Sequence, residues 1–226
     1  MKRILVISPH TDDELFGVGG TLLKYKSQGH QIKVVVMSCS ERYLHHLGRN
    51  ITEEEQWSEF KEVSKHISTD EPLKFDTNGI RLEEVPQYVI VRWLDSLIRD
   101  YKPTTIYIPE PSYHQEHKDV YTACISAVRP TGVGLINEII SYEIPTSTWS
   151  DPSNKFQPNL YEDIEEYIDE KIKIFKENYI LQYTSTKRDK LGEEGIRAHA
   201  YYRGFEGGLK AAEAFNIIRI INKKIN

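Results

Sequence analysis

Residues 3–20 read RILVISPHTDDELFGVGG, and the rest of the chain is arranged around them. The run Ile4-Leu5-Val6-Ile7 is apolar and rich in β-branched side chains, which predicts a buried strand. Ser8-Pro9 ends it. His10, Thr11, Asp12, Asp13 and Glu14 then arrive together, and Leu15, Phe16, Val18, Leu22 and Leu23 supply the apolar face of a helix. One imidazole and three carboxylates therefore stand where a strand gives way to a helix. In an open α/β sheet that edge is where ligands bind.

Three acids in a row beside a buried strand are costly unless something offsets their charge. A divalent cation would do so. His10 and Asp13 are three residues apart, so both can point into one site from a tight turn. An imidazole and a carboxylate suit zinc, or iron and other first-row ions. Asp12 is then left close to the metal and free to move a proton. The competing reading is a helix N-cap, with Asp12 or Asp13 capping and Glu14 favouring the dipole. Capping accounts for one acid and leaves His10 and the other two unexplained.

Working outward, the helix is predicted to run to Gln28, with Gly29 as its stop. Ile32 to Met37 reads as a second buried strand. Strand, helix and strand in about 35 residues make a βαβ unit, which implies a parallel sheet with a right-handed crossover. Ser38-Cys39-Ser40 ends the second strand at the same edge as His10. The pattern returns further on. Thr104 to Ile108 is strand-like, Pro109-Glu110-Pro111-Ser112-Tyr113 carries the chain out, and His114-Gln115-Glu116-His117 precedes a helix expected from Lys118. Two histidines three apart can share one face of a turn. Either of them would complete a His-Asp-His set with an open position, the pattern of catalytic zinc, and spacing alone does not say which.

The intervening segments are plainer. His45 and His46 are adjacent and would point apart on a helix, and Arg49 follows them. Thr52 with Glu55 is a capping box, opening a helix whose inner face is Trp57, Phe60, Val63 and Ile67. Pro72 to Phe75 suits a short third strand, with Asp76 in the turn beyond it. Val85 to Tyr101 reads as a helix with Val89, Trp93, Leu97 and Ile98 inward. Leu135 to Pro145 is predicted as a strand, residues 146–158 as a loop over the site, and Leu160 to Tyr179 as one charged amphipathic helix. Gln182 to Lys190 is polar. Ala211 to Phe215 is placed on a helix, with Glu213 either an anchor behind the site or a satisfied structural acid, the second preferred, and Ile217 to Ile225 closes the chain as a helix with a basic tip at Lys223-Lys224.

At 226 residues the chain suits one domain over 1–226, of the α/β class, a Rossmann-like three-layer sandwich with a mostly parallel sheet. A net charge of −5 without a basic block argues against nucleic acid or an anionic membrane as partner. No 18-residue apolar window is present, and the first residues lack the apolar length of a signal peptide. Cys39 and Cys124 form no C-x-x-C, so a reduced, cytoplasmic setting is the expectation. A homo-oligomer is left open. A nucleotide-binding Rossmann protein is a rival, given Gly17-Val18-Gly19-Gly20, but these residues do not spell G-x-G-x-x-G and the neighbouring acids would repel a pyrophosphate.

Pro9-His10-Thr11-Asp12-Asp13-Glu14 resembles the P-H-P-D-D-E signature of the LmbE-like/PIG-L zinc deacetylases, with Thr11 in place of proline. His114-Gln115-Glu116-His117 is similar to the family's H-x-D-H, with Glu116 in place of aspartate. Tyr142-Glu143-Ile144-Pro145 and the series Arg203-Gly204, Gly208 and Ala212-Glu213-Ala214-Phe215 are similar to further family segments. The resemblance implies a hydrolase that removes acetyl groups from N-acetylglucosamine-type conjugates or nucleotide-linked sugars. It implies Zn²⁺, with Fe²⁺ as the alternative, on His10, Asp13 and His117. Asp12 would be the general base and His114 the oxyanion donor or the acid for the leaving amine. Arg49 would hold the sugar, and Glu116 would orient a neighbouring histidine. A metal-binding but inactive module is the other class of reading.

Overall fold

Strand β1 (Arg3–His10) is the axis of the sheet. Its side chains alternate between two separate cores, Ile4 and Val6 in one and Leu5 and Ile7 in the other, all without solvent exposure. A strand with no polar face has to be central, with helices on both sides. The computed structural model describes residues 1–45, 47–77, 79–132, 134, 136–145, 155–180 and 192–222.

β1 leads into α1 (Asp13–Ser27) and then β2 (Gln31–Ser38), which pairs parallel to β1 with Val6 opposite Val34. A small hairpin, β3 (Arg42–Leu44) and β4 (Arg49–Ile51), precedes α2 (Glu53–Ile67). Thr52 and Glu55 form the expected capping box. β5 (Leu73–Lys74), α3 (Gln87–Tyr101), β6 (Thr105–Pro109), α4 (Gln115–Ala127) and β7 (Glu138–Tyr142) follow. The chain then runs through β8 (Leu160–Asp163), α5 (Ile168–Asn178), α6 (Glu193–Gly207) and β9 (Ala212–Ile220).

The seven-stranded sheet has the order β5-β2-β1-β6-β7-β9-β8, parallel from β5 to β7 and antiparallel at β9 and β8. α1, α2, α5 and α6 cover the face carrying Ile4 and Val6, while α3 and α4 cover the other. This is the expected α/β sandwich. From β1 the chain moves first to β2 on one side and later to β6 on the other. The crevice between the carboxyl ends of β1 and β6 is thus the switch point of the sheet.

Four expectations are corrected. Residues 212–220 are a strand, not a helix. The open edge of β7 needs a partner, and the β-branched Ile217, Ile218 and Ile220 suit a pleated surface. Leu160 to Tyr179 is not one helix, because Leu160–Asp163 extends the sheet beyond β9 before α5 begins. The second histidine helix starts at Gln115 rather than Lys118, so Glu116 and His117 lie in its first turn. On α3 the inward residues are Ile90, Leu94, Leu97 and Ile98, while Val89 and Trp93 border that core half-buried. His46, Leu135, residues 146–154, Gln182 to Lys190 and Lys223-Lys224 lie outside the described residues.

The glycines of α1 serve packing. A Cβ on Gly17 would come within 2.2 Å of the Tyr142 ring, and one on Gly20 within 2.9 Å of Ile164. Among the described residues no helix is long and apolar enough to cross a membrane, and Cys39 and Cys124 are buried free thiols.

Candidate metal centre

The first turn is built tightly. His10 is the last residue of β1, and Asp13 the first of α1, so only Thr11 and Asp12 lie between. Asp12 takes φ 116°, a conformation that a side chain disfavours. Its carbonyl accepts the N–H groups of Leu15 and Phe16, which starts the helix, but its side chain makes no capping bond. Asp13 does not cap either. Its carboxylate folds back, and Oδ2 accepts the His10 N–H at 2.9 Å. Glu14 is fully buried, and its Oε2 lies 3.1 Å from the Asp12 nitrogen and 3.2 Å from Ser8 Oγ.

The second turn brings α4 to the same edge. His114 occupies its N-cap position, and Glu116 and His117 follow in the first turn. His117 Nε2 lies 3.1 Å from His10 Nδ1, and Asp13 Oδ2 lies 3.3 Å from that His10 nitrogen and 3.4 Å from His117 Nε2. Two imidazole nitrogens and one carboxylate oxygen therefore form a nearly equilateral triangle. A tetrahedral ion with bonds of about 2.0–2.1 Å has edges of about 3.3 Å between its ligands. The triangle has the size of one face of that tetrahedron.

Side chains behind the triangle orient it. His10 Nε2 meets Glu116 Oε2 at 2.5 Å, and the other oxygen of Glu116 accepts from Ser38 Oγ at 3.0 Å. A hydrogen on Nε2, given to Glu116, leaves the His10 Nδ1 lone pair facing the triangle. Ser112 Oγ stands 3.0 Å from His117 Nδ1 and does the same for His117 Nε2. Ser112 also accepts the His114 N–H at 3.2 Å. Sequence reading missed both serines as parts of the site. Their only signal was position at the polar edge, Ser38 as the last residue of β2 and Ser112 just beyond β6.

The electrostatics favour a cation. Burial works against a charged imidazole, yet Asp13 and Glu116 push His10 up to about 9. Burial likewise opposes the Asp13 carboxylate, but His117 and His10 hold it well below the usual carboxylate range. Glu116 is drawn down to about 2, against burial, chiefly by His10. Glu14 differs. Burial pushes it up to about 7, although the Tyr179 hydroxyl and the Asp12 N–H oppose the rise.

His114 is half-buried. Its ring centroid is 4.7 Å from that of His10 and 4.9 Å from that of His117. Its Nδ1 is buried and has no hydrogen-bond partner among the described residues, and burial lowers its proton affinity, helped by His10 and His117. His10, His114 and His117 also offer ligand atoms within 4.8 Å of one another. The two possible triads share His10 and His117. The one completed by Asp13 has the shorter edges and the buried negative charge that a dication needs.

A cavity of about 330 Å³ opens in front of His10, His114 and Glu116, lined further by Arg42 of β3, Gln56 of α2 and Arg81. Arg49 is not among its lining residues; its exposed guanidinium meets both carboxylate oxygens of Glu55, at 2.8 and 3.1 Å. The expectation for Arg49 thus finds two other arginines at the cavity. Asp76 does not line it, and the His45 ring packs on Tyr43 instead.

Two kinds of comparison bear on this arrangement. The profile of the PIG-L family, described as GlcNAc-PI de-N-acetylase, matches residues 5–128, which span both turns. Among solved structures, N,N'-diacetylchitobiose deacetylase from Pyrococcus horikoshii is similar over 96% of this chain and 84% of its own, with TM-score 0.77 and 20% identity. A conserved protein from Thermus thermophilus is similar over 99% and 97%, with TM-score 0.73 and 21% identity. GalB, the 4-carboxy-2-hydroxymuconate hydratase from Pseudomonas putida, is similar over the whole of both chains, with TM-score 0.72 and 15% identity. At these identities the structural likeness speaks for the fold.

Proposed function

The chain belongs to the PIG-L family, whose profile spans both histidine turns, and from that premise we propose that it is a metal-dependent N-deacetylase. Its substrate is an N-acetylated sugar of the N-acetylglucosamine type, as a conjugate or linked to a nucleotide. One observation carries the reading: His10 Nδ1, Asp13 Oδ2 and His117 Nε2 lie 3.1–3.4 Å apart, the spacing of three ligands on one tetrahedral ion.

Two histidines and a carboxylate fit Zn²⁺ and also Fe²⁺. When bound, such an ion acts as a Lewis acid that acidifies water toward a pKa of ~7 and polarises the acyl carbonyl. The chain's own groups do the rest. Asp12, beside the ligands but outside the triangle, takes the proton from the attacking water as general base and returns it to the nitrogen as the C–N bond breaks, so that the products are acetate and the free amine. His114, whose half-buried position favours the neutral ring, donates a hydrogen bond to the negative charge that develops on the acetyl carbonyl oxygen. Glu116 and Ser112 hold the ligand rings in register. Arg42, Gln56 and Arg81 stand where the sugar would enter.

The test is metal content by mass spectrometry, wild type beside His10→Ala. Amine release from a panel of N-acetylglucosamine derivatives is followed on the same samples. About one ion per chain, lost in the variant together with amine release, is the expected result. A protein that never holds metal would overturn the proposal. The hydratase among the similar structures favours one alternative, addition of water to an unsaturated acid on the same fold. Metal without amine release, together with hydration of such an acid, would establish it.

A further inference from the structure

Glu14 is fully buried beside the metal ligands and has no part in the chemistry above. Its surroundings show what it holds. Oε2 accepts the Asp12 N–H at 3.1 Å, and Oε1 accepts the hydroxyl of Tyr179. Tyr179 is itself unexposed and lies just beyond the end of α5, with its N–H bonded to Phe175 O. Asp12 is the residue with φ 116°, a backbone state that persists only where the surroundings over-determine it. A carboxylate with one oxygen on that peptide and the other on a distant helix end is such a constraint. Filling space does not require the oxygen, since phenyl rings pack in the same core at Phe16 and Phe175.

We propose that Tyr179 is a positioning residue: its hydroxyl fixes the Glu14 carboxylate, which holds the Asp12 peptide in its left-handed state and so aims the Asp12 side chain at the reaction centre. This rests on Asp12 being the base. The link itself can be read without catalysis.

The experiment uses the full metal-loaded chain and the variant Tyr179→Phe, which removes one oxygen and keeps the ring. Three quantities are measured: bound metal, kcat and KM for amine release, and amide hydrogen exchange at Asp12 by NMR. The expected result is at least a tenfold fall in kcat with KM within twofold and metal unchanged. Exchange at Asp12 should quicken at least tenfold, while amides of Ile4 to Ile7 keep wild-type rates. Glu14→Gln should show the same pattern and replaces Tyr179→Phe if that variant is insoluble. Wild-type exchange at Asp12 in both variants would overturn the link. Faster exchange with unchanged kcat would overturn its role in positioning the base. Loss of metal, or a rise in exchange throughout β1, would show a merely structural role. If the wild type releases no amine from any N-acetyl sugar while Asp12 exchange still responds, the deacetylase reading fails and the Tyr179–Glu14–Asp12 link stands.

Discussion

The two turns that meet at the candidate metal centre look alike in sequence and are built differently. Each follows a buried strand and carries a proline, a histidine and acids into a helix. The first is nearly self-contained. Asp13 bonds the His10 backbone, Glu14 bonds the Asp12 backbone, and the strained Asp12 lies between His10 and Asp13. The second has ordinary backbone, with His114 at φ −69° and ψ 128°. Of its side chains, Glu116 is oriented across the sheet edge by Ser38 and His10, while His117 is held by Ser112 five residues before it. The first turn is held mainly by local bonds, with Tyr179 as a distant brace on Glu14. The other owes its geometry to its neighbours, so a small change such as the extra methylene of Glu116 can be absorbed there.

Breaking the first turn should cost most. Asp12→Asn keeps size and backbone but removes the proton acceptor, so kcat should fall by about 10²–10⁴. Metal content, measured on the same samples, should be unchanged. If the metal leaves as well, Asp12 belongs to the ligand set and the contrast between the turns needs redrawing.

The second turn should yield more gently. Glu116→Gln leaves His10 without its carboxylate, and metal affinity should drop by about 10–100-fold. Ser112→Ala should drop it less, because a hydroxyl is a weaker partner for His117 than a carboxylate is for His10. Competition with a chromogenic chelator gives both values. An Asp13→Glu variant tested alongside should fare worse than Glu116→Asp, since the added methylene would spoil a triangle whose sides are 3.1–3.4 Å.

The smallest effect concerns the bracing around the second turn. Glu110, which leads out of β6, is pushed up by burial and by Glu143. Glu143 is drawn down, against burial, by His199 and by Arg203, whose Nε and Nη2 reach its two oxygens at 2.6 and 2.7 Å. A carboxyl lowered in the folded state adds stability that is complete above its unfolded pKa and is lost as pH falls through the folded value. Wild type should therefore lose thermal stability on going from neutral pH to below the ordinary glutamate range. In Glu143→Gln that acid limb should be shallower, with a lower midpoint at pH 7. Melting curves across pH decide it; an unchanged acid limb would remove Glu143 from the bracing.

Much of the first turn was readable in the chain because its contacts are short in sequence. The sequence pattern stops the strand at Ser8-Pro9 and starts the helix at Leu15; the strand in fact runs to His10 and the helix from Asp13, which tightens the turn between the two candidate ligands. The second turn was readable as a candidate only, since spacing treats His114 and His117 alike. Their difference comes from Ser112 and from the first residues of α4, which place His117 on the triangle. Arg42 and Arg81 gave no signal, because a hairpin and a turn bring them to the cavity from distant positions. For the closing strand β9 the local preference of Ala212-Glu213-Ala214 is helical, and pairing with β7 and β8 overrides it. There Glu213 accepts the N–H groups of Gly20 and Thr21 at 2.8 Å and pairs with the buried Lys171 at 2.7 Å, the structural role expected of it on a different element.

By itself the sequence determined the central strands, the Thr52–Glu55 cap and which residues are candidate donor groups, since hydrophobic period, capping and ligand chemistry act over a few residues. Only the tertiary structure decided which nitrogen of His10 faces the centre, which arginines border the cavity and where the sheet ends. Each of those depends on a partner more than thirty residues away, and a hydrogen bond or strand edge of that kind exists only once the chain has folded.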